Sequence, residues 1–336
     1  MKDIIRQVVE RRDLSESEAA GAMEVIMSGM ATDAQIAALL VALRLKGETV
    51  GEITGFARVM REKASKVDAG VDLTDTCGTG GDASLSFNIS TTAAIVAAGM
   101  GVRIAKHGNR AVSSASGSAD VLKGLGVNVD AGVETVTRSI REANFGFLFA
   151  PHLHLAMKYA IGPRREMGIR TVFNILGPLT NPAGASRQLL GVFSEDLTEP
   201  LARVLVNLGS TRAWVVHGQD GLDEITVTAE TSISEAVDGA VRTFTLTPEQ
   251  MGLKRWSLED LQVSDAAAAA RAVREVLEGA QGARRDIVLA NAAAAAVVAG
   301  HAADIVEGVA AAAEAIDSGS ASRALQKVVE ITNAGT

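Results

Sequence analysis

Short apolar runs alternate with helical stretches from residue 71 onward, and this alternation constrains the fold more than any other feature of the chain. The clearest apolar runs cover residues 102–105, 147–149, 189–192 and 213–216. Helical patterns lie between them, for example at residues 134–143 and 198–208. Strands that alternate with helices are typical of an α/β domain, so we predict a largely parallel central sheet flanked by helices.

The first 66 residues show helical patterns and no strand pattern. Capping boxes, in which Ser or Thr is followed three residues later by Glu or Gln, mark helix starts there. The pairs are Ser15 with Glu18, Thr32 with Gln35, and Thr49 with Glu52. A basic stretch without strand pattern, residues 163–182, is expected to rejoin these helices. We therefore predict a small all-helical domain formed by residues 1–66 and about 163–182.

Residues 70–162 and 183–336 form the predicted large α/β domain. Within it, residues 226–247 alternate threonine with apolar residues, which indicates antiparallel strands. The tail from residue 265 to 333 is almost wholly helical by propensity. Its alanine-rich part is interrupted by Asn291 and His301, and we interpret the low complexity as tight helix packing against the sheet.

Charge and cysteine content narrow the functional classes. The net charge of −8 argues against nonspecific nucleic-acid binding, which needs an excess of basic residues. A single cysteine, Cys77, excludes an intramolecular disulfide and fits a reducing compartment. Residues 1–6 are charged and lack the apolar stretch of a signal peptide, and no uncharged apolar run reaches the roughly 18 residues that span a membrane. We expect a soluble, cytoplasmic protein.

A glycine-rich turn follows the first predicted strand. It contains Gly78, Gly80 and Gly81, and a cluster of Ser, Thr and Asn leads from there into an alanine-rich helix. Glycines let a backbone approach a ligand closely, and a helix N-terminus offers unpaired N–H groups to an anion. The pattern indicates a phosphate cradle, although the glycines alone fit an ordinary tight turn equally well.

A second polar loop is predicted after the strand at residues 102–105. Residues 106–118 hold two permanent cations, Lys106 and Arg110, together with a histidine, an asparagine and four serines. Lysine suits a phosphate as a point charge, and hydroxyls donate adaptably to its oxygens. A solvated basic loop is the alternative, and the neighbouring glycine-rich turn favours phosphate binding.

Asp223 and Glu224 follow the strand at residues 213–216. Adjacent surface carboxylates are usually solvated. Beside a phosphate site, however, carboxylates bind Mg²⁺ together with substrate phosphates, and side chains that point apart suit two ions better than one. Ligands bind beyond the carboxyl ends of parallel strands. We therefore expect one crevice to be formed by residues 78–82, 106–118, 151–154 and 217–224.

The sequence indicates no other catalytic centre. His152 and His154 are closely spaced but lack cysteine or carboxylate neighbours, so they do not indicate zinc. For His107 and His154, a role in lining the substrate and a packed role are equally compatible with the pattern. The chain has neither a G-x-S-x-G nucleophile motif nor a Walker A sequence.

Six motifs follow one another in a fixed order along the chain. They are Gly78-Thr79-Gly80-Gly81-Asp82, residues 87–91, 106–110, 116–120, 170–182, and Asp223-Glu224. This ordered set resembles that of the anthranilate phosphoribosyltransferase family over essentially the whole chain. The resemblance implies transfer of the phosphoribosyl group of phosphoribosyl diphosphate (PRPP) to the amine of anthranilate, with Mg²⁺, in tryptophan biosynthesis. It also implies a homodimer formed through the small helical domain.

The same resemblance assigns residues to the site. PRPP is expected to contact Gly78, Gly81, Asp82, Ser86, Asn88, Ile89, Ser90, Thr91, Lys106, His107, Gly108, Asn109, Arg110, Ala111, Val112, Ser113, Ser114 and Ser118. Anthranilate is expected to contact Gly78, His107, Asn109, His154 and Arg164. Metal ligands for a pair of Mg²⁺ ions are expected at Ser90, Asp223 and Glu224. No general base is assigned, because an arylamine is neutral at pH 7; Lys106, His107 and Arg164 are expected to position the substrates.

The chain departs from the family pattern at Ala83, Ser86, Leu155 and Pro163, and the last two bear on the anthranilate pocket. Two other functions share part of the pattern. A pyrimidine nucleoside phosphorylase would use phosphate without Mg²⁺, which the Asp223-Glu224 pair disfavours. A non-catalytic nucleic-acid-binding relative is disfavoured by the net charge of −8 and by an aromatic content of 3%.

Overall fold

The computed structural model describes residues 1–81, 84–110 and 117–334. Its strands are β1 Thr74–Gly78, β2 Ile104–Gly108, β3 Phe145–Phe149, β4 Arg187–Gly191, β5 Arg212–Gly218, β6 Thr231–Val237 and β7 Ala240–Leu246. They form one seven-stranded sheet in the order β3-β2-β1-β4-β5-β6-β7. Strands β1 to β5 are parallel, whereas β6 and β7 pair antiparallel. The predicted α/β class, with its antiparallel strands between residues 226 and 247, is confirmed.

Helices cover both faces of this sheet and form a bundle at the N-terminus. They are α1 Lys2–Val9, α2 Glu16–Met27, α3 Asp33–Lys46, α4 Val50–Lys63, α5 Ile89–Gly99, α6 Ser118–Gly124, α7 Val133–Ala143, α8 Ala150–Leu153, α9 Lys158–Met167, α10 Phe173–Leu176, α11 Thr198–Asn207, α12 Ala266–Leu277, α13 Ala283–Ala299, α14 Ile305–Asp317 and α15 Ser320–Asn333. Within the described ranges, no helix is both long and apolar enough to cross a membrane.

The central strands are buried on both faces. Successive side chains of a strand point to opposite sides of the sheet. Leu189 and Trp214 therefore lie in the core under the C-terminal helices, whereas Leu190 and Val215 lie in the core shared with α1–α4. Burial on both faces explains why these strands appear in the sequence as continuous apolar runs rather than as alternating ones.

All three predicted capping boxes form. Ser15, Thr32 and Thr49 each accept a hydrogen bond from the backbone N–H three residues later, and the side chain of that later residue bonds back to the cap. Each N-cap of this kind stabilises its helix by about 1 kcal/mol. These local signals fix the starts of α2, α3 and α4 without any tertiary contact.

Helices α9 and α10 pack against the N-terminal helices, α9 against α2 and α3 and α10 against α4. Ala160 of α9 and Phe173 of α10 lie in the same hydrophobic core as Met23 and Leu43. Because this core continues onto one face of the sheet, contacts alone do not separate the small helical domain from the large one. The predicted division at residues 1–66 and about 163–182 stays a prediction.

Candidate active site

The parallel strands end at one edge of the sheet, and the predicted site residues gather there. The sequence pattern had placed four of them in loops, but they lie within strands: Gly78 ends β1, and Lys106, His107 and Gly108 belong to β2. Pairing with β3 extends β2 in this way, since Lys106 is opposite Phe147 and His107 is opposite Leu148. Residues 150–153 form helix α8 and not the predicted open loop.

Asp223 packs against the glycines that end two strands, Gly191 of β4 and Gly78 of β1. A Cβ at Gly191, the last residue of β4, would lie 1.6 Å from the Asp223 carbonyl oxygen. A Cβ at Gly78 would lie 2.5 Å from Asp223 Oδ2. Any other residue at Gly191 would displace the loop backbone, and one at Gly78 would displace the Asp223 carboxylate. Glycine is therefore required here by close approach and not by backbone conformation.

The two adjacent carboxylates connect the loop to the glycine turn and to α5. The Gly80 N–H donates to Asp223 Oδ2 at 2.7 Å, and the Ser90 N–H donates to Glu224 Oε1 at 3.1 Å. Negative charge at the first turn of a helix is favourable. The three residues predicted as metal ligands, Ser90, Asp223 and Glu224, are therefore brought together with the predicted phosphate cradle.

Lys106 is almost completely buried beneath this cluster, at 1% exposure. Its ammonium group donates to the Thr76 carbonyl and, at 3.2 Å, to Ser90 Oγ. Burial lowers the pKa of Lys106, and the charges of Asp75, Glu224 and Asp223 oppose that shift. The Lys106 side-chain nitrogen thus lies below the crevice, next to the Ser90 hydroxyl.

The sequence pattern assigned no role to Asp75. It is fully buried on β1, and its Oδ1 accepts the His107 N–H at 3.1 Å. Burial raises the pKa of Asp75, while the nearby Asn181 amide and the charge of Lys106 lower it. An acidic residue between an apolar stretch and the glycine turn was the available signal, because buried charges are found where they have partners.

His107 and His154 form a buried pair, with 3.2 Å between their Nε2 atoms. Burial and the neighbouring His154 lower the pKa of His107 to about 3. Burial lowers the pKa of His154 to about 4. Both rings are neutral at pH 7, so one Nε2 donates and the other accepts. The pair connects β2 to the residue that follows α8, and its predicted contact with anthranilate stays a prediction.

Two arginines of the mid-chain helical stretch differ in what they contact. The Arg164 guanidinium lies 5.0 Å from the centre of the Phe173 ring, and burial lowers its pKa. Its predicted contact with anthranilate stays a prediction. Arg170, to which the sequence reasoning gave no role, donates to the Gly81 carbonyl and lies 4.5 Å from the centre of the Phe193 ring. The sequence signals were its position in a basic stretch and at the start of the motif at residues 170–182.

The other predicted PRPP residues occupy several environments. The side chains of Ile89 and Thr91 are buried, at 2% and 0% exposure, so only their backbone can face a ligand. Gly108 lies against Ser118, since a Cβ at Gly108 would be 3.3 Å from the Ser118 Cβ. Other described members are Ser86, bonded to Ser84, Asn88 just before α5, and the exposed Asn109 and Arg110. Asp82, Ala111, Val112, Ser113 and Ser114 lie outside the described residues.

The donor set fits a hard cation that is completed by substrate oxygens. In the described part of the chain, no group of three or more His, Cys, Asp or Glu residues could hold a metal ion by itself. Asp223, Glu224 and Ser90 offer only oxygen atoms. Mg²⁺ is commonly bound by one or two carboxylates together with substrate phosphates and water. An incomplete, all-oxygen set beside a phosphate cradle is the arrangement that such a cation needs.

Comparisons with known proteins identify the family of this chain. Residues 70–322 match the model described as "Glycosyl transferase family, a/b domain", and residues 2–64 match the model described as "Glycosyl transferase family, helical bundle domain". Anthranilate phosphoribosyltransferase from Geotalea uraniireducens (strain Rf4) is 58% identical over 348 residues, covering 99% of each chain. The corresponding protein of Geobacter sulfurreducens is 56% identical, again over 99% of each chain.

Solved structures give the same result. The crystal structure of anthranilate phosphoribosyltransferase from Thermus thermophilus superimposes with a TM-score of 0.93 at 44% identity, covering 98% of this chain and 99% of that one. The Saccharomyces cerevisiae enzyme in complex with PRPP and Mg superimposes with a TM-score of 0.91 at 30% identity, covering 99% and 97%. Another structure of the yeast enzyme contains 4-fluoroanthranilate.

Proposed function

This chain belongs to the anthranilate phosphoribosyltransferases of the glycosyl transferase family, and we infer from that membership the chemistry of the crevice at the strand ends. The enzyme transfers the phosphoribosyl group of PRPP to the amine of anthranilate, in tryptophan biosynthesis. The products are N-(5-phosphoribosyl)anthranilate and pyrophosphate. One observation supports this location most strongly, namely that the glycine turn, the start of α5 and the Asp223-Glu224 loop meet at one edge of the sheet.

We propose that PRPP lies across the ends of β1 and β2, with its pyrophosphate against the glycine turn and the first turn of α5. Helix N-termini bind phosphate because their first N–H groups have no partner within the helix. Lys106 adds positive charge at the same place, which matters in a chain whose net charge is −8. The Arg170 side chain, bonded to the Gly81 carbonyl, holds the end of the glycine turn.

We propose Mg²⁺ as the cofactor, bound by Ser90, Asp223 and Glu224 as two ions per subunit. The yeast relative was solved with PRPP and Mg. A pair of ions is supported by the divergence of the two carboxylates, since Asp223 contacts the glycine turn and Glu224 contacts α5. When bound, the metal neutralises charge that develops on the departing pyrophosphate.

We propose that Arg164 orients anthranilate by its carboxylate, with Asn109, His107 and His154 around the ring. A planar guanidinium pairs with a carboxylate through two parallel hydrogen bonds. Displacement at the ribose passes through an oxocarbenium-like state, and the arylamine nitrogen already carries a free lone pair at pH 7. No strong base is needed, so positioning of the two substrates carries most of the rate enhancement.

We propose a cytoplasmic homodimer. Seven of the ten exposed large apolar side chains in the described part of the chain lie on or beside α1–α3 or within residues 155–169. They are Val9, Met30, Leu45, Leu155, Tyr159, Ile161 and Ile169. Concentrated apolar exposure marks a contact surface, and a second copy of the chain is its expected occupant. The single, buried cysteine fits a reducing compartment.

The proposed site is tested by matched carboxylate variants. Purified protein with PRPP, Mg²⁺ and anthranilate is followed by loss of anthranilate fluorescence. We expect Asp223→Asn to lower the maximal rate and to raise the Mg²⁺ concentration at which the rate is half-maximal. Glu230→Gln, which alters an exposed carboxylate a few residues away, leaves both unchanged. Unaltered metal dependence in Asp223→Asn would remove this residue from the metal site. Mg²⁺-independent phosphorolysis of a pyrimidine nucleoside would favour the phosphorylase alternative.

A further inference from the structure

Asn291 is a polar side chain in the middle of an alanine-rich helix, α13, and it is fully buried at 0% exposure. Its amide contacts the backbone of a residue far away in the sequence. The Ile225 N–H donates to Asn291 Oδ1 at 3.0 Å, and Asn291 Nδ2 donates to the Ile225 carbonyl at 2.8 Å. Nδ2 also donates to the Ile287 carbonyl, one turn earlier in α13, at 2.8 Å.

Helix formation does not account for this asparagine. Asparagine is a poorer helix former than alanine, and a buried amide is costly unless its hydrogen bonds are made. Here both donors and the acceptor are used, and two of the three bonds hold a single peptide position, Ile225. Two hydrogen bonds to one residue fix both the distance of its backbone from α13 and the orientation of that backbone.

Ile225 directly follows the two carboxylates of the site. On the opposite side, the Asp223 carbonyl lies over Gly191, where there is no room for a Cβ. Further out, Asp220 accepts hydrogen bonds from the Thr226 and Thr228 hydroxyls, and the Gly218 N–H donates to the Leu222 carbonyl at 2.8 Å. The carboxylate loop is thus held against the sheet by strand ends and against the C-terminal helices by Asn291.

We propose that Asn291 is a positioning residue for the metal-binding carboxylates. Its amide holds the Ile225 peptide and thereby sets where Asp223 and Glu224 present their oxygens to the cation. The inference rests on the proposed function in that these two residues are taken as metal ligands. Residues that orient metal ligands typically cost 10- to 100-fold in metal affinity or activity when they are replaced.

The test uses two variants of Asn291 and one control variant in the same helix. Asn291→Leu keeps the number and branching of the side-chain heavy atoms and removes all three hydrogen bonds, while Asn291→Gln keeps an amide but moves it by one methylene. Val288→Ala removes core volume from the same helix and leaves the Asn291 amide in place, and so controls for lost stability. For each variant we measure the Mg²⁺ concentration for half-maximal rate, the calorimetric Kd for Mg·PRPP without anthranilate, and the urea midpoint.

We expect Asn291→Leu to raise the half-saturating Mg²⁺ concentration and the Kd for Mg·PRPP by about 10-fold or more. Anthranilate KM stays within about twofold, because a positioning role confined to the carboxylates leaves the acceptor site intact. Asn291→Gln gives a smaller rise in the same two quantities. Val288→Ala lowers the urea midpoint and leaves both unchanged.

Two results would overturn the inference. The first is an Asn291→Leu enzyme, or an Asn291→Gln enzyme if the leucine variant does not fold, that responds to Mg²⁺ as the parent does. The second is an equal rise in Val288→Ala, which would assign the effect to lost stability. Asp223→Asn serves as the reference for the metal assignment. If Asp223→Asn also leaves the Mg²⁺ response unchanged, the assignment of Asp223 as a metal ligand fails together with the role of Asn291.

Discussion

Asp75, Lys106 and His107 lie side by side on β1 and β2 with almost no exposure to solvent. Taking an ammonium group and a carboxylate out of water costs several kcal/mol each, and their mutual attraction and hydrogen bonds offset that cost only when the geometry is good. Lys106 donates to Thr76 and Ser90, and Asp75 Oδ1 accepts from the backbone N–H of His107, but Asp75 Oδ2 is buried without a hydrogen-bond partner. At the scale of single residues, burial therefore raises the pKa of Asp75 and lowers the pKa of Lys106 beneath the proposed site.

The His107–His154 pair makes stability depend on pH. In the folded chain their pKa values are about 3 and about 4, against 6.5 for an ordinary histidine. The unfolded chain therefore binds more protons as the pH falls from 6.5 towards 4, and the free energy of unfolding decreases over that window. Each histidine contributes about 1.4 kcal/mol per pH unit at most.

We expect His107→Gln/His154→Gln to flatten this dependence. The measurement is the urea unfolding free energy between pH 7 and pH 5. His301→Gln, which alters an exposed histidine, retains the parent slope. The account of the pair is contradicted if the double variant loses stability as steeply as the parent does.

Arg164→Ala is predicted to raise the anthranilate KM by about 10- to 100-fold with little change in kcat. Hydrogen bonds to a charged group contribute about 1.5–3 kcal/mol, which corresponds to that range. Arg164→Lys restores part of the loss, because it keeps the charge without the planar fork. Arg165→Ala, the exposed neighbour, is the control in steady-state kinetics. A fall in kcat at unchanged KM would contradict the assignment.

At the scale of elements, the position of Asp223 in the proposed site depends on strands that end in glycine. Gly191→Ala places a methyl group 1.6 Å from the Asp223 carbonyl oxygen, so the carboxylate loop must move by more than about 1 Å. Misplacement by about 1 Å can cost on the order of 100-fold in rate, and we expect a loss of that size in kcat/KM for PRPP.

The control for Gly191→Ala is Gly99→Ala at the other end of α5. Its added methyl group would lie 2.7 Å from the backbone of Ala321, so the fold is strained away from the crevice. We expect Gly99→Ala to lower Tm while kcat/KM stays near the parent value. Equal loss of kcat/KM in both variants would show that general destabilisation, and not the seating of Asp223, explains the effect.

How far the sequence predicts each element depends on how local its causes are. The starts of α2, α3 and α4 were predicted because a capping box is complete within four residues. The end of β2 was placed too early, because Lys106 and His107 are polar and only pairing with β3 keeps them in the sheet. Pattern alone cannot supply that pairing.

The candidate site was predicted in outline for a different reason. Its members lie at strand ends, which parallel topology brings together. Contacts that depend on three-dimensional packing were missed: Arg170 reaches Gly81 across 89 residues, and Asn291 reaches Ile225 across 66. In neither contact does the sequence around one residue indicate its partner, so only the folded structure shows the contact.

At the scale of the whole molecule, the proposed dimer predicts that charge on the helical surface separates the subunits. Leu45, on α3, is 71% exposed and Met30 is 66% exposed. We expect Met30→Glu/Leu45→Glu to shift the parent dimer towards monomer in sedimentation velocity, because two desolvated carboxylates oppose an apolar interface. Val306→Glu, at a 54% exposed position on α14, is the matched control. A monomeric parent, or an unshifted double variant, would contradict the proposed interface.

The most direct test of the central claim is the initial rate of anthranilate loss, followed by fluorescence, with PRPP present and Mg²⁺ titrated from zero. We predict no measurable rate without PRPP or without Mg²⁺, a saturating rise as Mg²⁺ is added, and one pyrophosphate released for each anthranilate consumed. No loss of anthranilate at any enzyme concentration, or an equal rate in the absence of Mg²⁺, would contradict the account.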